Sequence, residues 1–373
     1  MNRPAPIVDE QAASGRPPNP LIRNVQLLRA FAALSVVFLH TTDELRLPAF
    51  LQFGFFGVDI FFAISGFIIC YITSIDPGQF FAKRVIRIVP FYWTATILLF
   101  ALAHAAPSLV HSAQGADLRT LLTSLFFIPY QRGDQMQPLL LPGWTLNLEM
   151  YFYVIFWGAL SLSRKFAPLI AAAFIATIYA ALNIWTPYRV LMTYYGNSVA
   201  LEFIWGMGVF YLYKSLPRLL PPARRGDTPF VIFCGAGALA LVALPYLELH
   251  TTFGRAIFLG LPAAAVVLCA LMLEARYRIV SRSAFALLLG EASYALYLLH
   301  PYVVFGLNRT FMRAFANSPF PITALLVVVY MVAASAIAIA VFLYFERPVM
   351  AFLRRRFLHR GPAIASVAVE QPG

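Results

Sequence analysis

Charge is scarce in this chain. Of its 373 residues only 12% are Asp, Glu, Lys or Arg, and 61% are hydrophobic. A soluble globular chain is about half apolar and a quarter charged. The shortfall excludes an ordinary soluble enzyme and points to a polytopic membrane protein. Cysteine is scarcer still. Cys70, Cys234 and Cys269 each lie in an apolar run without metal-ligand spacing, which excludes a disulfide framework and a zinc site and leaves packing as their role. No metal is expected. No polar stretch is long enough to bury a second core, so no separate soluble domain is expected. A signal peptide is missing too: "MNRPAPIVDEQAASGRPPNP" has no central apolar run of about 7–15 residues. Residues 1–23 are instead expected as a disordered cytoplasmic tail, and 351–373 as a basic cytoplasmic one. The formal charge of +12 does not imply nucleic acid, because a basic patch needs a soluble surface to sit on. Nor is there a duplicated five-helix unit of the kind that builds inverted-repeat transporters.

What is present is a series of apolar runs. A span needs roughly 20 mostly apolar residues, and such runs fall near 24–42, 53–74, 88–106, 142–163, 166–185, 198–214, 229–247, 256–274, 286–307 and 321–345. The expected fold is therefore all-α, with about ten transmembrane helices in one domain over 24–350. Positive charge should concentrate in cytoplasmic segments. With the N-terminus inside, twenty Lys and Arg fall on inner segments and seven on outer loops. Both termini are thus expected in the cytoplasm.

Ionisable groups within spans are costly and by default functional. The candidates are Arg29, His40, Asp59, Glu149, Glu202, Glu291 and His300, with Arg84 and Arg87 at an edge. Arg29 and His40 lie eleven residues apart. That is three turns plus about 20°, so both face one side of a helix about 16 Å apart along its axis. One reading makes them a snorkelling arginine and a capping histidine; the other makes them a cation and a base on one face. Arg84 and Arg87, at i and i+3, could anchor topology or hold a phosphorylated group through bidentate bonds. Asp59 is expected to pair with Arg29 or Arg84. Ser65 either bonds between helices or lines a site. Trp144 suits the interfacial aromatic belt. Glu149, with Tyr153 one turn on, is expected to face inward and to pair with His40, fixing its tautomer for general-base work. His300 is either a structural histidine or one that supports the site. Glu346, in "YFERP", is expected to pair with a loop arginine. The "NRT" at Asn308 is a weak match to a glycosylation acceptor, and His104, His111, His250 and His359 form no pattern.

Together, "LRAFAALSVVFLH", "GFFGVDIFFAISGF", "FFAKRVIRIVPFYW", "GWTLNLEMYFY" and "SYALYLLHP" resemble the acyltransferase family 3 membrane proteins. The resemblance runs over about 24–350, and "GWTLNLEMYFY" looks most like the exopolysaccharide acetyltransferase branch. The hydrolase-like extension of some family members is not seen here, so a single-domain mechanism is expected. The resemblance implies a multi-pass protein of the bacterial cytoplasmic (inner) membrane. It implies transfer of an acyl group, usually acetyl, from acyl-CoA to a hydroxyl of a glycan or glycolipid acceptor. Position by position, it implies that His40 is the essential histidine, Arg29 its motif partner, and Arg84 and Arg87 contacts of the donor. The residues alone leave a second class open. In a transporter or flippase, Arg29, Asp59 and Glu149 would bind ions or substrate, and Arg84 and Arg87 would only fix topology.

Overall fold

A computed structural model describes residues 22–106, 115–132, 136–185, 189–219, 227–244, 254–315 and 320–358. The proline-rich segment before Ile22, the tail beyond Leu358, Arg224, Arg225, His111, His250 and His359 lie outside the described residues. Among those described, the structure is helical throughout and holds no strand. That outcome follows from the solvent: in lipid every backbone N–H and C=O must be satisfied within its own segment, which a helix does.

The helices are α1 (Arg23–Glu44), α2 (Phe56–Ile75), α3 (Phe80–Ala105), α4 (Leu118–Leu125), α5 (Gly143–Leu162), α6 (Ala167–Trp185) and α7 (Arg189–Tyr194). They continue with α8 (Glu202–Leu219), α9 (Thr228–Ala243), α10 (Leu261–Ala275), α11 (Ala284–Glu291), α12 (Ser293–Phe315), α13 (Phe320–Val341) and α14 (Arg347–Phe357). A π-helical turn, Ala256–Gly260, leads into α10, and a second, Phe342–Glu346, joins α13 to α14. Six stretches are long and apolar enough to cross a membrane: Arg23–Glu44, Phe56–Ile75, Phe80–Ala105, Ala167–Trp185, Ala256–Ala275 and Phe320–Phe357. Two expected runs differ in form. The span placed at 88–106 begins at Phe80, which puts Arg84 and Arg87 inside helix α3 rather than at its edge. The span placed at 286–307 is broken at Ala292, between α11 and α12.

Helix α1 is tied at its start. The Glu274 carboxylate accepts from the backbone N–H of Asn24 at 2.8 Å and of Arg23 at 3.2 Å. A carboxylate there satisfies two of the orphan donors and favours the positive end of the helix dipole. The Asn24 side chain donates to the carbonyls of Ala270 and Ile279, which fixes α1 against the end of α10.

Helix α2 sits between α1 and α8 because its glycines let backbones touch, the usual device where lipid supplies no hydrophobic drive between helices. A Cβ on Gly57 would lie 2.3 Å from the Ala32 carbonyl oxygen of α1. One on Gly66 would lie 2.3 Å from the Phe203 carbonyl oxygen and 3.0 Å from the Gly206 Cα of α8. Beside this seam Phe152 of α5 stacks on Phe203 with centroids 4.3 Å apart, and Phe62 of α2 meets Phe203 at 4.8 Å. Such aromatic pairs add about 0.5–1.5 kcal/mol beyond their burial. The large side chains left exposed, among them Leu169, Phe174 and Trp185 on α6 and Leu325, Val328 and Val332 on α13, sit on the outside of the bundle.

Candidate active site

Five helices converge on one chamber of about 120 Å³. Helix α1 contributes Arg29, α2 Phe61 and Ser65, α3 Arg84 and Arg87, α5 Thr145, Glu149 and Tyr153, and α12 Ser293, Tyr294 and Tyr297. The expected residues Arg29, Arg84, Arg87, Ser65, Glu149 and Tyr153, scattered over 125 positions of the chain, thus share one cavity.

Three guanidiniums line this chamber, and they are held unequally. Arg87 donates to Glu346 Oε1 at 2.7 Å and lies 5.6 Å from the centre of the Tyr294 ring. Arg29 and Arg84 form no ion pair among the described residues. Arg29 stands within electrostatic range of Glu149, Tyr153, Arg87 and Glu346, and Arg84 beside Tyr153. The chamber therefore offers two unpaired cations to an anionic ligand. Glu346 was expected to meet a loop arginine and meets Arg87 of α3 instead, because the π-helical turn that it ends aims it into the bundle.

Glu149 is not bonded to His40. Its Oε1 accepts from Ser65 Oγ at 3.2 Å and from the Tyr153 hydroxyl. The reason is depth. Glu149 lies six residues into α5, about 9 Å below its start, which brings it level with Arg29 rather than with His40. Asp59 also departs from expectation. Arg255, not Arg29 or Arg84, holds it with two bonds of 3.0 Å from Nε and Nη2. Six residues separate Asp59 from Ser65, about 240° of rotation, so Asp59 points away from the chamber, towards the π-helical turn before α10. Glu202, the first residue of α8, is fully buried beside this pair, and neither carboxylate oxygen has a hydrogen-bond partner.

His40 lies at the other end of α1. Its ring faces that of His300 on α12, with centroids 5.0 Å apart. Tyr297 connects this pair to the chamber. It lines the chamber wall, accepts from Thr145 Oγ1 at 3.1 Å, and lies 5.9 Å ring to ring from His300. Trp144 is not part of the chamber. It lines a separate depression on another face of α5 with Gln137, Leu148 and Asn197. Among the described residues no group of three or more His, Cys, Asp or Glu could hold a metal.

The sequence reading missed Ser293, Tyr294, Tyr297 and Thr145 in the chamber and Arg255 as the partner of Asp59. The signal for two of them was available. In "SYALYLLHP", Tyr294, Tyr297 and His300 recur every third residue, which places them along one helix face.

An acyltransferase domain family model matches residues 22–343. The chain belongs to acyltransferase family 3. It is a multi-pass membrane O-acyltransferase, which decides between the enzyme and transporter readings of the same polar residues. Over 323 residues this acyltransferase is 34% identical to exopolysaccharide production protein ExoZ of Rhizobium meliloti, covering 83% of this chain and 94% of that protein. Over 143 residues it is 26% identical to O-acetyltransferase OatA of Staphylococcus aureus, covering 35% of this chain and 23% of that one. No solved structure matches the chain.

Proposed function

We propose that this acyltransferase moves an acetyl group from acetyl-CoA to a hydroxyl of a polysaccharide or its lipid-linked precursor. The observation that carries the reading is the joining of two unlike sites: a chamber with two unpaired guanidiniums, and a histidine pair reached through Tyr297. Coenzyme A is anionic at its nucleotide end and reactive at its thioester, with the long pantetheine arm between. Arg29 and His40 stand about 16 Å apart along one helix face, which suits a ligand with its charge at one end and its reacting atom at the other.

Arg84 and Arg29 would hold the phosphates, and Arg87, already paired with Glu346, would keep the mouth of the chamber positive. The chamber is smaller than the roughly 300–1,000 Å³ of a drug-sized site, so it would admit the arm and leave the nucleotide outside. Glu149, with Ser65 and Tyr153, would balance Arg29 and keep its side chain in place. His40 would take the proton of the acceptor hydroxyl as the oxygen attacks the thioester carbonyl. The carbon–sulfur bond then breaks, and the same proton passes from His40 to the departing sulfur.

The similarity to an exopolysaccharide production protein over nearly its whole length supports a glycan acceptor. We further propose ten spans with both termini in the cytoplasm of a bacterial inner membrane, which would put the arginine end on the side where acetyl-CoA is made. Each expected run coincides with helix, which supports that count. Reporter fusions after Lys214 and Arg276 should both report cytoplasm; an outside signal at either would overturn the orientation. The decisive assay is transfer of label from [14C]acetyl-CoA to surface glycan by membranes containing the protein. Glycans of a strain lacking it should lose O-acetyl groups, and unchanged O-acetylation would refute the proposal.

A further inference from the structure

His300 is only 2% exposed, and its two ring nitrogens are treated very differently. Nδ1 lies 2.7 Å from the Tyr297 carbonyl oxygen. A carbonyl can only accept, so Nδ1 carries the proton and Nε2 is left with its lone pair. Nε2 is enclosed and has no hydrogen-bond partner. Leaving a buried acceptor unpaired costs about 1–3 kcal/mol, so a group that can donate to it should be near. The neighbouring ring is that of His40, tilted by 36° with its centroid 5.0 Å away. No hydrogen bond holds His40 among the described residues. Bonds of this type are often open without substrate and tighten in the loaded complex.

We propose that His300 is the positioning residue of His40, its Nε2 accepting a hydrogen bond from one His40 nitrogen so that the other is presented as the base. This rests on the role given to His40 above. The other polar groups facing His40 leave the assignment intact. Asp43 and Glu44 lie on its own helix, and Glu44 is engaged by Asn308 Nδ2 at 2.6 Å. Tyr330 of α13 stands beside Glu44, Tyr297 supplies the carbonyl to His300, and Asp59 on α2 is closed by Arg255. Glu149 is bonded elsewhere.

A neutral partner has a consequence that a carboxylate would not. When the hydroxyl proton reaches the free nitrogen of His40, the positive charge is shared across the bond to His300. No permanent anion holds it, so the proton can pass on to the leaving sulfur. The two rings carry one charge only while the C–O bond forms and the C–S bond breaks.

Two measurements judge this. In protein labelled with 15N-histidine and reconstituted in lipid, His300 should show a protonated Nδ1 and a bare Nε2 with a coupling across the hydrogen bond to His40. A proton found on His300 Nε2 would overturn the proposal, whether or not the protein acetylates glycan. In the transfer assay His300→Phe should lower kcat about 100-fold with donor and acceptor KM unchanged. His300→Gln, which keeps an acceptor oxygen, should regain a large part of that loss. Wild-type kcat in His300→Phe would overturn the role. Should His300→Phe not accumulate, His300→Gln decides alone: a reduced kcat at unchanged KM supports the proposal, and a raised KM at unchanged kcat refutes it. An inactive wild type would count against the function proposed above, and the tautomer would still decide the pair.

Discussion

The two ends of helix α1 show two ways of keeping ionisable groups in a membrane protein. At the Arg29 end, charge is balanced by residues from distant parts of the chain: Glu346 on Arg87, and Ser65 and Tyr153 on Glu149. At the His40 end two rings face each other, and the enclosed His300 nitrogen has no partner. A permanent charge needs an opposite charge or strong donors wherever water is excluded. A histidine can shed its proton and stay neutral, so it tolerates a site without a counter-ion. The arginine end is therefore built to bind, and the histidine end to change its protonation during a reaction.

This contrast can be broken by substitution. His40→Ala should lower acyl transfer by about 1,000-fold while acetyl-CoA binding, followed by calorimetry, stays as in wild type. A large loss of donor binding would mean that the two ends are not separate. Next in size, Asp59→Ala should destabilise the protein by about 3–5 kcal/mol, because it strands the buried Arg255. Thermal unfolding in detergent would report this, and Asp59→Leu combined with Arg255→Leu should recover part of it. Arg84→Ala should raise the donor KM roughly tenfold, the loss of one charge-assisted bond, with kcat nearly unchanged. Arg87→Ala should instead reduce thermal stability and be partly rescued by Glu346→Gln, since Arg87 answers a buried carboxylate. If both arginine variants change only KM, the division between bound and free guanidiniums is wrong. The smallest effect belongs to Ser65→Ala, about 1 kcal/mol, because Tyr153 still holds Glu149.

How far the sequence revealed this arrangement depended on the range of each interaction. Helix periodicity placed Arg29 and His40 on one face and Arg84 beside Arg87, and the helices deliver those pairs. Gly57 and Gly66 were legible as places of close approach for the same local reason. Pairing across helices was not legible. Asp59 was matched to the wrong arginine and Glu149 to the histidine, because each choice required the depth and rotation of a second helix. Arg255 gave no signal at all, since it sits at the end of an outer loop and turns inward only in three dimensions. Tyr294 and Tyr297 were readable from their spacing, yet a tyrosine in an apolar helix is more often packing than function, and it passes unnoticed.

Both buried arginine–carboxylate pairs have one member at the boundary of a π-helical turn: Arg255 directly before Ala256–Gly260, and Glu346 at the end of Phe342–Glu346. A π-turn holds one residue more than the α-turn it replaces, commonly at a functional position. Read as history, each looks like a single-codon insertion that was kept because it swung a charge inward by about 100°. Removing one residue from either turn should leave a smoother helix and a misaimed ion. Gap-free comparison of relatives across these two points would then pair the wrong positions, hiding the charges that hold the bundle together.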